Sequence, residues 1–258
     1  MVKEEILSAE EKDMAERLDG KVVLITGASS GIGEATARVV AEQGGLPVLS
    51  ARRADRLEAL AQELPSALAI QADMRDPEQV RRLVEMALKH HGRLDVLVNN
   101  AGQGLHLPLE QVSLEDLVAI TELNFYAPLV AMQAVVPAMR SQGGGAIINV
   151  SSGTSRMVLP GVGAYAATKA ALNMLSLVAR GELKPDGIIV SVVYPSVTAT
   201  EFHDKLRAGD IPVGAVDLTP RSPEYVAKAI VRAIRTGEAE VVIPHGPEHP
   251  EEMEFAAY

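Results

Sequence analysis

The strongest constraint on this chain is an alternation of short apolar runs with longer helical patterns. The apolar runs occupy seven segments of the sequence: 22–26, 47–50, 67–71, 94–100, 146–150, 188–193 and 240–243. Runs that stay apolar at successive positions fit strands that are buried on both faces. Because helical patterns separate these strands, the sequence predicts an α/β fold with a parallel sheet and helices on both of its faces.

Helix starts are marked by side chains that can cap them. Asp76 stands before Pro77 and three residues before Gln79, which predicts a capped start that Gln79 closes as a capping box. Ser113 and Ser222 begin similar patterns. We therefore expect helices to begin directly after Asp76, Ser113 and Ser222.

The 258 residues contain no internal repeat, low-complexity tract or linker long enough to divide the chain. Single α/β domains commonly reach this length. We predict one domain over residues 19–245, a helical extension over 1–18 and a C-terminal tail over 246–258. For the extension, a solvated segment is favoured over a functional arm.

Composition excludes several classes of partner and site. A net charge of −10 and an aromatic content of 3% disfavour a nucleic-acid surface. The chain has no cysteine, which excludes disulfides, thiolate nucleophiles and zinc–thiolate sites. The amino terminus lacks an apolar signal core, and no continuous run approaches the roughly 20 apolar residues of a membrane helix. We therefore expect a cytoplasmic protein with no nucleic-acid or membrane partner.

A glycine loop, "TGASSGIG" at 26–33, follows the first predicted strand and opens a helix. Gly27 permits a tight turn, Gly31 lets the backbone approach a pyrophosphate, and Gly33 lets the helix pack on the strand. The helix amino terminus adds free N–H groups and a positive dipole end. An ordinary glycine-rich turn is the alternative, and the strand before the loop and the helix after it disfavour that reading.

Further motifs follow in a fixed order. They are Asp73 after the third strand, "NNAG" at 99–102, Asn124, Ser152 and "YAATK" at 165–169. With the "TGxxxGxG" form of the glycine loop, the chain resembles the short-chain dehydrogenase/reductase family over about residues 20–245. That resemblance implies a doubly wound Rossmann domain with a sheet of about seven strands, a nicotinamide dinucleotide cofactor and a dimer or tetramer.

The resemblance also implies which residues bind the cofactor. Asp73 would contact the adenine ring, since Asp76 already fills the capping role before Pro77. "NNAG" would line the cofactor cleft, and its Asn and Gly residues suit turn geometry equally well. The implied cofactor-binding residues are Gly27, Ser29, Ser30, Gly31, Ile32, Gly33, Arg52, Arg53, Asp73, Met74, Asn100, Ala101, Gly102, Tyr165, Lys169, Pro195, Thr198 and Thr200.

One segment departs from the family pattern. The family usually has Pro-Gly-x-x-x-Thr after the sixth strand, and this chain has "PSVTAT" at 195–200, with Ser196 in place of the glycine. Serine adopts fewer backbone conformations than glycine, so the path of this loop is open at this stage. Thr200 and the backbone near Thr198 are still expected to bind the nicotinamide carboxamide.

Two arginines stand where an NAD-binding protein has a carboxylate. Twenty positions past Gly31 lies Ala51, followed by Arg52 and Arg53. Arg52 directly follows the second predicted strand, at the mouth of the expected adenosine pocket. A guanidinium there can hold a 2′-phosphate through paired hydrogen bonds, which predicts NADP(H) as the cofactor. The alternative is that the arginines are solvated residues that open the next helix, and this fits Arg53 better than Arg52.

Tyr165 and Lys169 are four residues apart in a stretch that predicts one helix, so they project from the same face. Tyrosine, with a pKa near 10, is a poor acid–base catalyst at neutral pH unless its phenolate is stabilised. The ammonium of Lys169 is expected to lower the pKa of Tyr165. Tyr165 would then protonate a carbonyl oxygen during reduction.

Two further residues complete the implied catalytic group. Ser152 lies at a strand end, where the family keeps the serine that hydrogen-bonds the substrate oxygen; family spacing selects it over Ser151. Asn124 matches the family residue that holds a water and links Lys169 to solvent.

The substrate wall is predicted from loops at the carboxyl ends of the strands. Its residues are Leu105, His106, Thr154, Met157, Leu159 and Phe202. This apolar set favours a small ketone, aldehyde or secondary alcohol. His106 is interpreted as a packing residue rather than a ligand, and segment 201–221 as a lid or a surface loop.

Prolines around His245 and His249 disfavour a metal site there.

The implied function is an NADP(H)-dependent oxidoreductase that acts on a small-molecule substrate. An epimerase or dehydratase would need a longer C-terminal region. A non-catalytic NADP(H)-binding sensor or scaffold predicts loss of Tyr165, Lys169 or Ser152, and all three are present. The predicted helices at 115–139 and 164–183 carry more aliphatic residues than one core-facing side of a helix requires. This favours a homodimer or homotetramer over full burial of both helices within one subunit.

Overall fold

The seven apolar runs form the seven strands of one parallel sheet. A computed structural model of the protein describes residues 17–210 and 219–244. The strands are β1 (Val22–Thr26), β2 (Leu46–Ala51), β3 (Leu68–Gln71), β4 (Val96–Asn99), β5 (Gly145–Val150), β6 (Ile188–Tyr194) and β7 (Glu240–Val242). Their order is β3-β2-β1-β4-β5-β6-β7. The predicted α/β fold class is confirmed, and the order reverses between β1 and β4, where such sheets open a crevice.

Helices cover both faces of this sheet. The described α-helices are α1 (Gly31–Glu42), α2 (Ala54–Glu63), α3 (Pro77–His91), α4 (Leu114–Thr121), α5 (Ala127–Ser141), α6 (Gly163–Leu183) and α7 (Pro223–Thr236). Helices α1, α2 and α7 share one apolar core with the sheet, which includes Val40, Leu57 and Ile230. Helices α3, α5 and α6 share the other, which includes Leu83 and Val135. The sheet is therefore buried on both sides, as its apolar runs predict.

A short π-helical segment over Glu122–Tyr126, called the π-turn below, joins α4 to α5. The combined stretch Leu114–Ser141 is the one described helix that is long and apolar enough to cross a membrane by length and composition. Its second half buries Met132, Val135 and Met139. These residues belong to the core on one face of the sheet, which makes the stretch a core helix of this fold.

The predicted helix caps form, with one difference. Ser113 Oγ accepts a hydrogen bond from the Asp116 N–H at 3.0 Å, and Ser222 caps α7 in the same way. Asp76 Oδ1 accepts from the Glu78 N–H at 2.9 Å. Gln79 does not close the box on the Asp76 N–H, because that donor is used by the Asp73 carbonyl; instead Gln79 Oε1 accepts from the Asp73 N–H at 3.0 Å.

The predicted extension and tail lie outside the described residues, apart from two positions. Leu18 is buried, and its N–H donates to the Gln43 carbonyl at 3.0 Å. Its neighbour Arg17 pairs with Asp19 at the surface. The boundaries at 18 and 245 therefore remain predictions, and His245 and His249 fall outside the described part.

Two helical glycines provide a matched test of the packing. A Cβ at Gly33 would lie 2.4 Å from the Gly27 carbonyl oxygen, whereas one at Gly181 meets no atom within 4 Å. Gly33→Ala should lower the free energy of unfolding by about 1–3 kcal/mol because backbone must move. Gly181→Ala should raise it by about 0.5–1 kcal/mol by lowering chain entropy. Urea unfolding measures both, and equal effects of the two substitutions would contradict the packing described here.

Candidate active site

The glycine loop forms a bare backbone cradle at the amino terminus of α1. Gly27 and Gly31 have φ of +69° and +58°, in the left-handed region that favours glycine. A Cβ at Gly27 would lie 2.9 Å from Asn100 Nδ2. The loop thus exposes backbone N–H groups at a helix start, which is a site suited to phosphate oxygens.

Asn100 and Thr26 fasten this cradle to the loop after β4. Asn100 Nδ2 donates to the Thr26 carbonyl at 2.9 Å. Thr26 Oγ1 accepts from the N–H groups of Asn100 and Ala101 at 3.0 and 3.1 Å. The crevice at the strand reversal is therefore held by paired hydrogen bonds, and Thr26, which belongs to the glycine-loop motif but had no role assigned from the sequence, positions the loop after β4.

The cradle opens into a cleft with a volume of about 580 Å³. The predicted cofactor and catalytic residues that line it are Gly27, Ser29, Ser30, Gly31, Ile32, Arg52, Arg53, Asp73, Met74, Asn100, Ala101, Gly102, Ser152, Tyr165, Lys169, Pro195, Thr198 and Thr200. Residues from six loops and from α6 meet there because the carboxyl ends of parallel strands share one edge of the sheet.

Four predicted residues lie behind the cleft wall. Gly33 packs under the loop, and Asn124 is fully buried in the π-turn. Asn99 points away from the cleft, because alternate residues of a strand face opposite sides, and donates to Asn149 Oδ1 at 2.8 Å. Leu105 is fully buried, so its placement in the substrate wall is wrong, while the adjacent His106 does line the cleft.

Tyr165 and Ser152 meet at the inner end of the cleft. Tyr165 lies in the first turn of α6 and is 5% exposed. Burial raises the pKa of Tyr165 to about 12, and its hydrogen bond with Ser152 acts in the opposite direction. Ser152 Oγ also contacts Thr154 Oγ1 at 2.8 Å, whereas Ser151 contacts Ser155, which agrees with the family spacing.

Lys169 lies one helical turn beyond Tyr165, but its ammonium does not act on the phenol in the expected way. Lys169 Nζ donates to the Val150 carbonyl at 2.9 Å. Burial lowers the pKa of Lys169 to about 8. The expected lowering of the Tyr165 pKa is wrong for this structure, because burial is the largest cause at Tyr165 and raises its pKa.

Asn124 holds residues 102–103 in place, and this short segment lies between the Asn124 side chain and Lys169. Asn124 Oδ1 accepts from the Gln103 N–H at 2.9 Å, and its Nδ2 donates to the Gln103 carbonyl at 2.9 Å and to Thr168 Oγ1 at 3.1 Å. A Cβ on Gly102 would lie 3.2 Å from Asn124 Oδ1 and 3.3 Å from Lys169 Nζ. Asn124 therefore ties the Gln103 backbone to the Thr168 side chain of α6, and glycine at 102 keeps the space beside the ammonium open.

At the outer end of the cleft, Arg53 is turned onto the glycine loop. Its Nη2 donates to Ser30 Oγ at 2.7 Å and to Ser29 Oγ at 2.9 Å. Its Nη1 donates to Glu201 Oε2 at 3.0 Å. Arg53 does stand at the N-cap of α2, as the alternative had it, but its side chain is not simply solvated, because these acceptors draw it over the cleft. Arg52 is the more exposed of the two.

Asp73 also lines the outer end of the cleft, and its carboxylate is held in place by Arg75. Arg75 donates to it from its backbone N–H and its guanidinium, and this side-chain hydrogen bond holds the pKa of Asp73 below its usual range. Met74 beside it is 5% exposed. The pair presents a fixed carboxylate and an apolar surface, which suit the amino group and the face of an adenine ring.

The 195–200 loop needs no glycine at 196. Among the described residues, Ser66 is the one non-glycine residue with positive φ, so Ser196 is unstrained. The loop is positioned by the pairing of Val197 and Ala199 with the backbone of Arg221. Thr200 then packs against the glycine loop, where its Cγ2 would lie 2.9 Å from a Cβ at Gly31.

These features fit the nicotinamide dinucleotide that the family resemblance implies. The glycine cradle suits the pyrophosphate, and the Asp73 end suits the adenosine. Thr198 and Thr200 line the same cleft and can supply hydrogen bonds to a carboxamide. The donor set therefore agrees with a dinucleotide laid across the strand reversal.

Comparison with known proteins supports the same conclusion. The short chain dehydrogenase family matches residues 21–210. An uncharacterized oxidoreductase from Staphylococcus saprophyticus is 36% identical over 224 residues, which cover 84% of this chain and 91% of that protein.

Two solved structures are also similar. A dehydrogenase/reductase from Sinorhizobium meliloti has a TM-score of 0.80 and 30% identity, over 91% of this chain and 97% of that one. A 3-ketoacyl-(acyl-carrier-protein) reductase from Brucella melitensis, complexed with NADH, has a TM-score of 0.80 and 29% identity, over 88% and 97%. Together with the cradle and the Tyr165 cluster, these matches show that the chain belongs to the short-chain dehydrogenase/reductase family and is an oxidoreductase that binds a nicotinamide cofactor.

Proposed function

We propose that the protein is an NADP(H)-dependent oxidoreductase that acts on a small, mostly apolar ketone, aldehyde or secondary alcohol. One observation carries the proposal: a single cleft joins Tyr165, Ser152 and Lys169 at its inner end to Arg52 and Arg53 at its outer end. The wall near Tyr165 includes His106, Met157, Leu159 and Phe202. We propose a cytoplasmic location for this enzyme.

Each inner residue has a role that follows from its geometry. When bound, the nicotinamide ring supplies or accepts the hydride. Tyr165, whose pKa is about 12, stays protonated at neutral pH and donates its proton to the substrate oxygen during reduction. Ser152 hydrogen-bonds that oxygen and orients it. Lys169 stabilises the phenolate that remains, and Asn124 holds the 102–103 loop against α6.

Replacing Tyr165 tests the acid role directly. Tyr165→Phe removes the transferable proton and keeps the ring, so kcat should fall by about 100-fold or more. The affinity for NADPH, measured by fluorescence titration, should stay nearly unchanged. Ser151→Ala is the matched control, because Ser151 also lines the cleft but contacts Ser155. A Tyr165→Phe enzyme with more than about a tenth of the wild-type kcat would overturn this role.

The titration of Lys169 predicts a pH dependence. With a pKa of about 8, Lys169 is charged below pH 8 and loses its charge as pH rises through that value. Only the charged form stabilises the phenolate. The kcat for carbonyl reduction should therefore be level on the acid side and decline with an inflection near pH 8. A profile that is level from pH 7 to pH 9 would show that this charge is not used.

Cofactor choice is tested at the two arginines. A charge-assisted hydrogen bond contributes about 1.5–3 kcal/mol, so Arg52→Ala and Arg53→Ala should each lower kcat/KM for NADPH by about 10- to 150-fold. The values for NADH should change little. Arg81→Ala, which removes an exposed guanidinium from α3, is the control for net charge. A wild-type enzyme that uses NADH as well as NADPH would contradict the proposed preference.

We also propose that the protein is a homodimer or homotetramer. Helix α4 exposes Leu114 and Val118, and α6 exposes Met174 and Val178, with 49–80% of each side chain accessible. Apolar faces of this kind suit association with a second copy.

Light scattering at micromolar concentration should give a dimer or tetramer mass, because burial of these faces favours association. Val178→Glu should shift the mass toward the monomer, since it places a charge in the proposed interface. Met86→Glu is the control, because Met86 is also exposed but lies on α3. A monomer mass for the wild type would refute association.

A further inference from the structure

Glu201 gathers three cations at the outer end of the cleft. Its Oε2 accepts from Arg53 Nη1 at 3.0 Å, and its Oε1 accepts from Arg56 Nη1 at 2.8 Å. Lys205 Nζ also bonds Oε2. These hydrogen bonds, led by that of Lys205, hold the pKa of Glu201 well below its usual range, so the carboxylate is charged at any working pH.

The position of this carboxylate matters because Arg53 bonds both Glu201 and the serines of the glycine loop. A guanidinium has five N–H donors. Arg53 directs Nε and Nη2 to Ser29 and Ser30 of the glycine loop and Nη1 to Glu201. Nη1 carries two N–H groups, and its one acceptor among the described contacts is Glu201. A 2′-phosphate that approached Nη1 would therefore lie beside this carboxylate and be repelled by it.

The charges around Glu201 favour a ligand more negative than the carboxylate itself. Three cations bond one carboxylate, and Arg52 adds another cation at the rim of the cleft. Asp55 and Glu34 also attract Arg56, more weakly than Glu201 does. A phosphate monoester carries about −1.5 to −2 charge at neutral pH, which balances this cluster better than a single carboxylate.

We propose that Glu201 is a cofactor-specificity residue whose carboxylate holds Arg53 and Arg56 in place of a 2′-phosphate and is displaced when that phosphate binds. The proposal rests on the proposed NADP(H) preference. Glu201 lowers the affinity for phosphorylated cofactors by the free energy needed to displace it.

Displacement also reaches the catalytic end, because Glu201 belongs to the segment 200–208. Gln103 Nε2 donates to the Lys205 carbonyl at 2.9 Å, and the N–H of Arg207 donates to the Gly104 carbonyl at 2.8 Å. Phe202, next to Glu201, has its ring centroid 5.8 Å from that of Tyr165. Release of Glu201 from the arginines therefore loosens a segment that lines both ends of the cleft.

Glu201→Gln tests the displacement, since it removes the charge and keeps the shape. The probes are adenosine 2′,5′-bisphosphate and adenosine 5′-monophosphate, with NADPH and NADH as full cofactors, in calorimetric titrations. An exposed ion pair contributes about 0.2–1 kcal/mol, so the bisphosphate and NADPH should bind the variant up to about 5-fold more tightly. The monophosphate and NADH should bind as they do to Glu63→Gln, which makes the same change of charge away from the cleft beside Arg38.

Hydrogen exchange tests the coupling in the wild-type protein. The bisphosphate should increase exchange of the amides at 201–206, and the monophosphate should not. Weaker or unchanged bisphosphate binding in Glu201→Gln would overturn the displacement, and unchanged exchange would overturn the coupling.

The two proposals can fail separately. If the wild type binds NADH as tightly as NADPH while Glu201→Gln gains bisphosphate affinity, the cofactor preference fails and the displacement stands. If the wild type prefers NADPH and Glu201→Gln gains nothing, the displacement alone fails.

Discussion

The hydrogen bonds between Thr26 and Asn100 are the contact on which the rest of the site depends. They join the loop after β1 to the loop after β4, at the point where the strand order reverses. In a parallel sheet these two loops diverge, because their crossovers run to opposite faces. The side chain and backbone of Asn100 set their separation, and that separation determines the width of the crevice in which the glycine cradle and Tyr165 face each other.

Burial then shapes the chemistry at the inner end. Tyr165 and Lys169 are both removed from water, and desolvation moves their pKa values in opposite directions, to about 12 and about 8. Each group is thereby held closer to its neutral form than it would be in water. At neutral pH Lys169 is still mostly charged and donates to the Val150 carbonyl, whereas Tyr165 stays neutral until it gives its proton to a reacting oxygen.

Much of the fold and of the site could be predicted from the sequence, because both depend on local patterns. Every apolar run became a strand, and Tyr165 and Lys169 share a face because four residues make about one helical turn. The failures concern side-chain direction. Arg53 turns toward Glu201, which is 148 residues away in the chain, and Lys169 turns toward a backbone carbonyl. No spacing in the sequence reports such choices, since they depend on which acceptors the folded chain brings near.

The π-turn at Glu122–Tyr126 can be viewed as one extra residue inside an otherwise continuous helix. One additional residue rotates everything after it by about 100° around the helix axis. The phase change lets α5 turn Met132 and Val135 into the core while α4 turns Leu114 and Val118 outward. It also leaves Asn124 fully buried, so a single-residue deletion that restored a regular α-helix here would disturb its packing and its hydrogen bonds with Gln103 together.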